Sequence, residues 1–189
     1  MALGEQFDDV LAAARTGAPW ALELLYREFH PGVLAFLRAR AGGEAEDLAA
    51  DVFVAAAEGI IRFEGTEEGF RSWLYTIAYR KVGQLRRRMG RRRTEPAPVQ
   101  DIDDRLPPGD VEAEAMTALS TRSALERIAA LPPAQAEVLL LRVVADLSVE
   151  DVAAIVGKRP PAVRALQHRA LQRLAREGAP GPKDPGSYP

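Results

Sequence analysis

Residues 90–118 decide how this chain can be built. The stretch holds four prolines, Pro96, Pro98, Pro107 and Pro108, and shows neither helical nor strand periodicity. From Glu95 to Glu114 it carries seven acids against one base, Arg105. A segment of that composition buries too little apolar surface to offset the entropy of ordering it, and a structureless run of this length does not belong inside a compact core. It therefore predicts a flexible acidic linker that divides the 189 residues into two small units, 1–89 and 119–176, each with its own core. Residues 177–189, rich in proline and glycine, predict a disordered tail.

Both units read as all-α. In the first, Phe7, Val10, Leu11 and Ala14 open an amphipathic segment that Gly17 and Pro19 interrupt. Trp20, Leu24, Leu25, Phe29, Val33, Phe36 and Leu37 continue at helical spacing, with Pro31 marking a kink or restart. After Gly42-Gly43 a helix runs from Glu44 to Ile61, a loop from Phe63 to Gly69, and a third long helix from Phe70 to about Arg88. There is no strand pattern and no internal repeat.

The absence of cysteine excludes a disulfide framework and thiolate metal sites. No run approaches the ~18 apolar residues of a membrane span, so membrane insertion is not expected. Glu5, Asp8 and Asp9 stand where a secretory signal would carry positive charge, which predicts a cytoplasmic protein.

The formal net charge of −2 conceals a segregated pattern. Arg80 to Arg93 holds eight bases and no acid, and Lys158 to Arg176 holds six bases and no acid. Two basic blocks on either side of an acidic one predict two polyanion-binding surfaces. Asp101, Asp103, Asp104 and Asp110 lie close enough along the chain to cover the arginines and suppress stray binding to DNA.

The second unit carries the sharpest local signal. Leu131-Pro132-Pro133 ends one helix and starts another, Ala134 to Val144. Ser148 with Asp151 resembles a capping box, Val152, Ile155 and Val156 form a short apolar face, and Gly157 suits a left-handed cap. Pro160-Pro161 opens a last basic helix. A short helix, a glycine turn and a longer basic helix make a helix-turn-helix, whose second helix lies in the major groove. On a helical wheel Val163, Leu166, Ala170, Leu171 and Leu174 face the core. Arg164, Ala165, His168, Arg169 and Gln172 face outward, where Arg, Gln and His reach base edges or phosphates.

In the first unit Phe70, Leu74, Ile77 and Leu85 share one face of the third helix, with Trp73 at its edge. Tyr75 and Tyr79 fall opposite, where burial does not explain them, and lead into Arg80 and Lys81. Aromatic faces beside cations are what single-stranded nucleic acid requires, because bases stack on rings while the backbone is neutralised.

Together these residues resemble the sigma-70 superfamily of RNA polymerase sigma factors in its minimal extracytoplasmic-function (ECF) form. The resemblance covers about residues 5–176, the linker excepted. Glu46-Asp47-Leu48-Ala49-Ala50-Asp51-Val52-Phe53 is similar to region 2.2, and Phe70 to Ala78 to region 2.3, followed by a basic region 2.4. Leu131 to Arg142 and Ala162 to Ala170 are similar to region 4. The chain departs from the family pattern at Ala50, Arg80, Gln84 and Pro160-Pro161.

The resemblance implies a region 2 helical bundle and a region 4 helix-turn-helix. It implies a non-enzymatic factor that binds core polymerase, recognises promoter −10 and −35 elements and aids melting, with no cofactor and no metal. Glu46, Asp47, Asp51 and Phe53 would dock on the polymerase β′ clamp helices. The −10 strand would meet Phe63, Tyr75, Tyr79, Arg80, Lys81, Arg86 and Arg87, with the loop from Phe63 to Gly69 holding a flipped-out base. The −35 duplex would meet Arg159, Arg164, Ala165, His168 and Arg169. The β flap and an anti-sigma factor are further implied partners.

A stand-alone helix-turn-helix regulator competes with this reading, but leaves the first unit's basic helix unexplained. An enzyme would have to use His30, His168 or a metal on Glu46, Asp47 and Asp51, whereas a partner-binding acidic helix face accounts for those carboxylates more simply.

Overall fold

The computed structural model describes residues 3–92 and 122–178. Every regular element among them is helical. The first domain contains α1 (Phe7–Arg15), α2 (Pro19–Ala41), α3 (Ala45–Gly59) and α4 (Glu67–Arg92), with single 3-10 turns at Gly4–Gln6, Gly42–Glu44 and Ile60–Arg62. The second contains α5 (122–129), α6 (Pro133–Val143), α7 (Val149–Val156) and α8 (Pro160–Gly178). The acidic residues Asp101, Asp103, Asp104 and Asp110 and most of the expected tail lie outside the described residues.

α2 is the axis of the first domain. Ala21, Leu25, Phe29, Val33, Phe36 and Leu37 recur at three- and four-residue steps, so they fall on one face, and all are buried. Val52 and Ala56 of α3, Leu74 and Ala78 of α4, and Phe7 and Val10 of α1 close on that face. The helix does not restart at Pro31: α2 is continuous through it. Proline deprives the carbonyl of residue 27 of its helical partner. Arg27 and Pro31 are both exposed, so the turn that loses the bond lies on the solvent side.

Two expected boundaries move. α4 begins at Glu67 rather than Phe70, so the loop between α3 and α4 shortens to residues 63–66. α4 also runs to Arg92, into the segment expected as linker, where arginines are good helix formers.

The second domain follows its local signals. Pro133 is the first residue of α6. The Ser148 hydroxyl accepts a hydrogen bond from the Asp151 backbone N–H at 3.0 Å, capping α7. Gly157 ends α7 at φ 65°, a conformation in which a Cβ is penalised. α8 then packs through Val163 and Ala170, both fully buried. Leu171, expected in that core, is 48% exposed: α6 and α7, which pack against α8, cover a narrower stripe of it than the wheel implies.

The two domains touch. α6 lies against α2, and α7 lies against α4. Gly32 makes room for Tyr75 within the first domain: a Cβ there would fall 2.7 Å from the Tyr75 hydroxyl oxygen, with the Val144 carbonyl of the second domain 3.7 Å away. Six consecutive residues of α6, Ala136 to Leu141, are buried, which a helix achieves only when covered all round.

Candidate nucleic-acid and polymerase interface

The acidic face of α3 is solvent-facing. Glu46 and Asp47 occupy the helix's first turn, where carboxylates complement the N-terminal end of the dipole. Glu46 accepts a hydrogen bond from Arg38 at 2.7 Å, and Asp51 pairs with Lys81 of α4 at 3.1 Å. Phe53 is half-buried and meets the Tyr26 ring edge-on at 4.8 Å. Tyr26 stacks on His30 and is 44% exposed. Burial among these rings lowers the His30 pKa, against the opposing pull of Glu46. Leu22, Tyr26, Phe53, Ala57 and Ile60 line an apolar groove between α2 and α3. Tyr26 was not singled out in the sequence, since its partner Phe53 lies on another helix.

Residues 63–66 are held by aromatic packing. Phe63 stacks on Trp73 at 5.2 Å and meets Phe70 edge-on at 5.3 Å. Its carbonyl accepts a hydrogen bond from Arg15 of α1. This ties the loop to the N-terminal helix, a link that nothing in the sequence marks.

α4 does not present its tyrosines as expected. Tyr75 is 3% exposed, lies edge-on to Phe36 at 5.7 Å and belongs to the core, so it is not open to stack on a base here. The wheel assigned it to solvent because it considered one packing face, whereas α4 packs against α2, α3 and α7, and Tyr75 turns to Phe36 and Gly32 of α2. Burial drives the Tyr75 phenol far above its ordinary pKa. Tyr79 is half-buried and donates its hydroxyl to Glu137 of α6 at 3.3 Å. Burial first, and then the Glu137 carboxylate, raise its pKa. Arg80 and Arg87 are exposed.

Arg86 also donates to Glu137. So does Arg40 of α2, at 3.1 Å. The Arg40 and Glu137 side chains are only 7% and 12% exposed. Burial and the neighbouring Arg86 lower the Arg40 pKa, while Glu137 opposes them. Sequence reasoning missed both members of this pair. The one available signal was an acid inside the apolar run from Ala136 to Leu141.

On α8 the outward row stands as the wheel placed it: Arg164, Ala165, His168, Arg169 and Gln172 are all exposed, as is Arg159 just before the helix. Arg164 donates to Glu150 at 3.0 Å, and His168 and Gln172 share a hydrogen bond of 2.9 Å. Arg127 donates to the Leu174 carbonyl at 2.7 Å, fixing α5 to the far end of α8. Among the described residues no three His, Asp or Glu side chains gather as a metal ion would need.

Family models for sigma-70 region 2 and sigma-70 region 4 match residues 25–93 and 121–174. The ECF RNA polymerase sigma factor SigD of Mycobacterium tuberculosis is 38% identical over 92% of this chain and 84% of its own length. ShbA of Streptomyces griseus, another ECF sigma factor, is 35% identical over 79% of this chain and 83% of its own. The chain belongs to the ECF sigma factors. Among solved structures, the sigma factor RpoE of Bartonella quintana, in complex with the anti-sigma factor NepR, superimposes with a TM-score of 0.64. It covers 82% of this chain and 94% of that one at 24% identity, which establishes the shared fold. As an RNA polymerase sigma factor the protein directs promoter-specific transcription, and its two helical domains are regions 2 and 4.

Proposed function

We propose that the three surfaces divide the work of promoter recognition. α3 docks on the polymerase β′ clamp helices through Glu46, Asp47, Asp51 and Phe53, with Tyr26 adding apolar area at the groove. The loop at Phe63 and the cations Arg80, Lys81, Arg86 and Arg87, with Tyr79, hold the melted −10 strand. Tyr75 supports this surface from within the core instead of touching DNA. α8 reads the −35 duplex through Arg159, Arg164, Ala165, His168 and Arg169, while the β flap carries region 4. The protein acts by binding, without catalysis or cofactor, in the cytoplasm. An anti-sigma factor is a further partner, as in the RpoE–NepR complex. No helix among the described residues is long and apolar enough to cross a membrane.

The observation that carries the reading is α8: Val163 and Ala170 are fully buried while Arg164, Ala165, His168 and Arg169 are exposed on the opposite side. A helix anchored on one face and open on the other is what groove entry requires. Run-off transcription with purified core polymerase on a pool of genomic promoters tests it. Discrete start sites sharing −10 and −35 elements are expected, and their loss in Arg164→Ala/Arg169→Ala. Equal transcription from all fragments, or tight duplex binding without polymerase, would favour a stand-alone regulator.

A further inference from the structure

Glu137 is the one charged residue in the buried set of the described residues, and the side chain of its partner Arg40 is only 7% exposed. Its neighbours on α6, Ala136 and Val138 to Leu141, are apolar core. A carboxylate taken out of water needs charged or hydrogen-bonding partners. All three of its partners among the described residues lie in the other domain: Arg40, Tyr79 and Arg86. Two further polar contacts join the domains, both more exposed. Ser72 donates to Asp151 at 3.2 Å, and Arg71 lies 3.9 Å from Asp146, whose side chain is 88% exposed. Glu137 is thus the electrostatic centre of the closed arrangement.

Without Glu137, two guanidinium groups and a phenol of the first domain converge on an empty point at the start of the α4 basic run. Guanidinium forks suit phosphate as well as carboxylate. Glu137 also leaves donor capacity unused: the Arg40 Nε is buried with no acceptor. A phosphodiester brings more acceptor oxygens than the carboxylate that fills the cradle.

We infer that Arg40, Tyr79 and Arg86 form a binding site for a backbone phosphate of single-stranded DNA, and that Glu137 occupies this site in the closed chain as an internal competitor. This rests on the assignment of the α4 surface to the −10 strand, and adds Arg40 to it. Closed packing and strand capture are then mutually exclusive at one point. The tether keeps the local concentration of Glu137 high, so free protein resists stray DNA. Separation of the domains on polymerase removes the competitor and exposes the cradle in one movement. Glu137 acts here from a folded helix, independently of the acids in 90–118.

The test uses the full chain. Glu137→Gln keeps the side chain's size and removes its charge. Binding of a labelled single-stranded oligonucleotide is followed by anisotropy against salt, and domain separation by FRET between dyes on the two domains. Glu137→Gln is expected to open the chain and tighten binding. If ~90–99% of the free chain is closed, the gain is about ten- to a hundredfold, because apparent affinity scales with the competent fraction. Arg40→Ala/Glu137→Gln is expected to be equally open but to lose most of that gain, with a salt slope smaller by about one phosphate. An open Glu137→Gln chain with unchanged affinity, or a gain that survives loss of Arg40, would overturn the site. A chain that stays closed would overturn the latch.

A second variant does not depend on Glu137. The chain has no cysteine, so Ser72→Cys/Asp151→Cys forms a lone pair across the interface. Oxidation is expected to abolish strand binding and run-off transcription, and reduction to restore both. Full activity of the oxidised chain would refute the competition. Arg87→Ala separates the two readings, since Arg87 has no part in the cradle. If it impairs promoter opening while the Glu137 tests fail, the −10 assignment stands and the competition falls. If it leaves opening intact, the −10 assignment itself fails.

Discussion

α4 and α8 are both long, both basic, and both assigned to DNA, yet they are held in opposite ways. α8 has one buried stripe, at Val163 and Ala170, and a free outer face. α4 is packed on more than one side, and two cations of its basic run are engaged, Lys81 with Asp51 and Arg86 with Glu137, while Arg80 and Arg87 are exposed. The partners differ in burial. Arg164 and Glu150 are 59% and 67% exposed, so their pair is worth about 0–1 kcal/mol and gives way cheaply to a base or phosphate. Glu137 is 12% exposed, so the Arg86 pair yields only when the interface opens. On the proposed assignment, the helix that reads duplex is ready in the free protein, whereas part of the surface that holds the melted strand is covered while the domains are closed.

The contrast breaks most sharply at the aromatics. Tyr75→Ala is expected to destabilise the fold by about 3–5 kcal/mol, as for other large buried rings, while His168→Ala shifts stability by less than about 0.5 kcal/mol. Urea unfolding followed by circular dichroism measures both. Equal effects would mean that Tyr75 is not part of the core.

Asp47→Lys/Asp51→Lys addresses what α4 gains from its neighbour. The exchange puts like charges opposite the polymerase and beside Lys81. A loss of core-polymerase affinity on the order of 3 kcal/mol is expected, with helicity intact. Unchanged affinity in a titration would remove α3 as the docking face.

Arg164→Ala sharpens the view of α8 as a free reader. A loss of about 1–3 kcal/mol confined to one −35 position marks a base contact. The same loss across all sequences marks a phosphate contact, and competition binding with a randomised duplex distinguishes the two. The smallest effect belongs to the cap beneath the turn. Ser148→Ala is expected to cost about 1 kcal/mol of second-domain stability, read as a lower urea midpoint.

Much of this was legible in the chain. Pro133 starts α6, Ser148 caps α7, Gly157 stops it, and the outward row of α8 follows from a single helical wheel. The −35 candidates depend only on that local geometry. The −10 surface was legible as a charge run, but the state of its residues was not.

The reason is physical. Caps, glycine turns and one-sided amphipathicity are decided within a few residues, so the sequence alone determined the helices, the start of α6, both ends of α7 and the exposed face of α8, but not the ends of α4. Tyr75 is buried because Phe36 and Gly32 of α2 meet it from another element. Arg40 and Glu137 pair across 97 positions, and neither the spacing nor the residue types mark them as partners. A wheel has one axis and supposes one neighbour, whereas α4 has neighbours on two sides. Only the tertiary structure could decide which of its cations and rings are free.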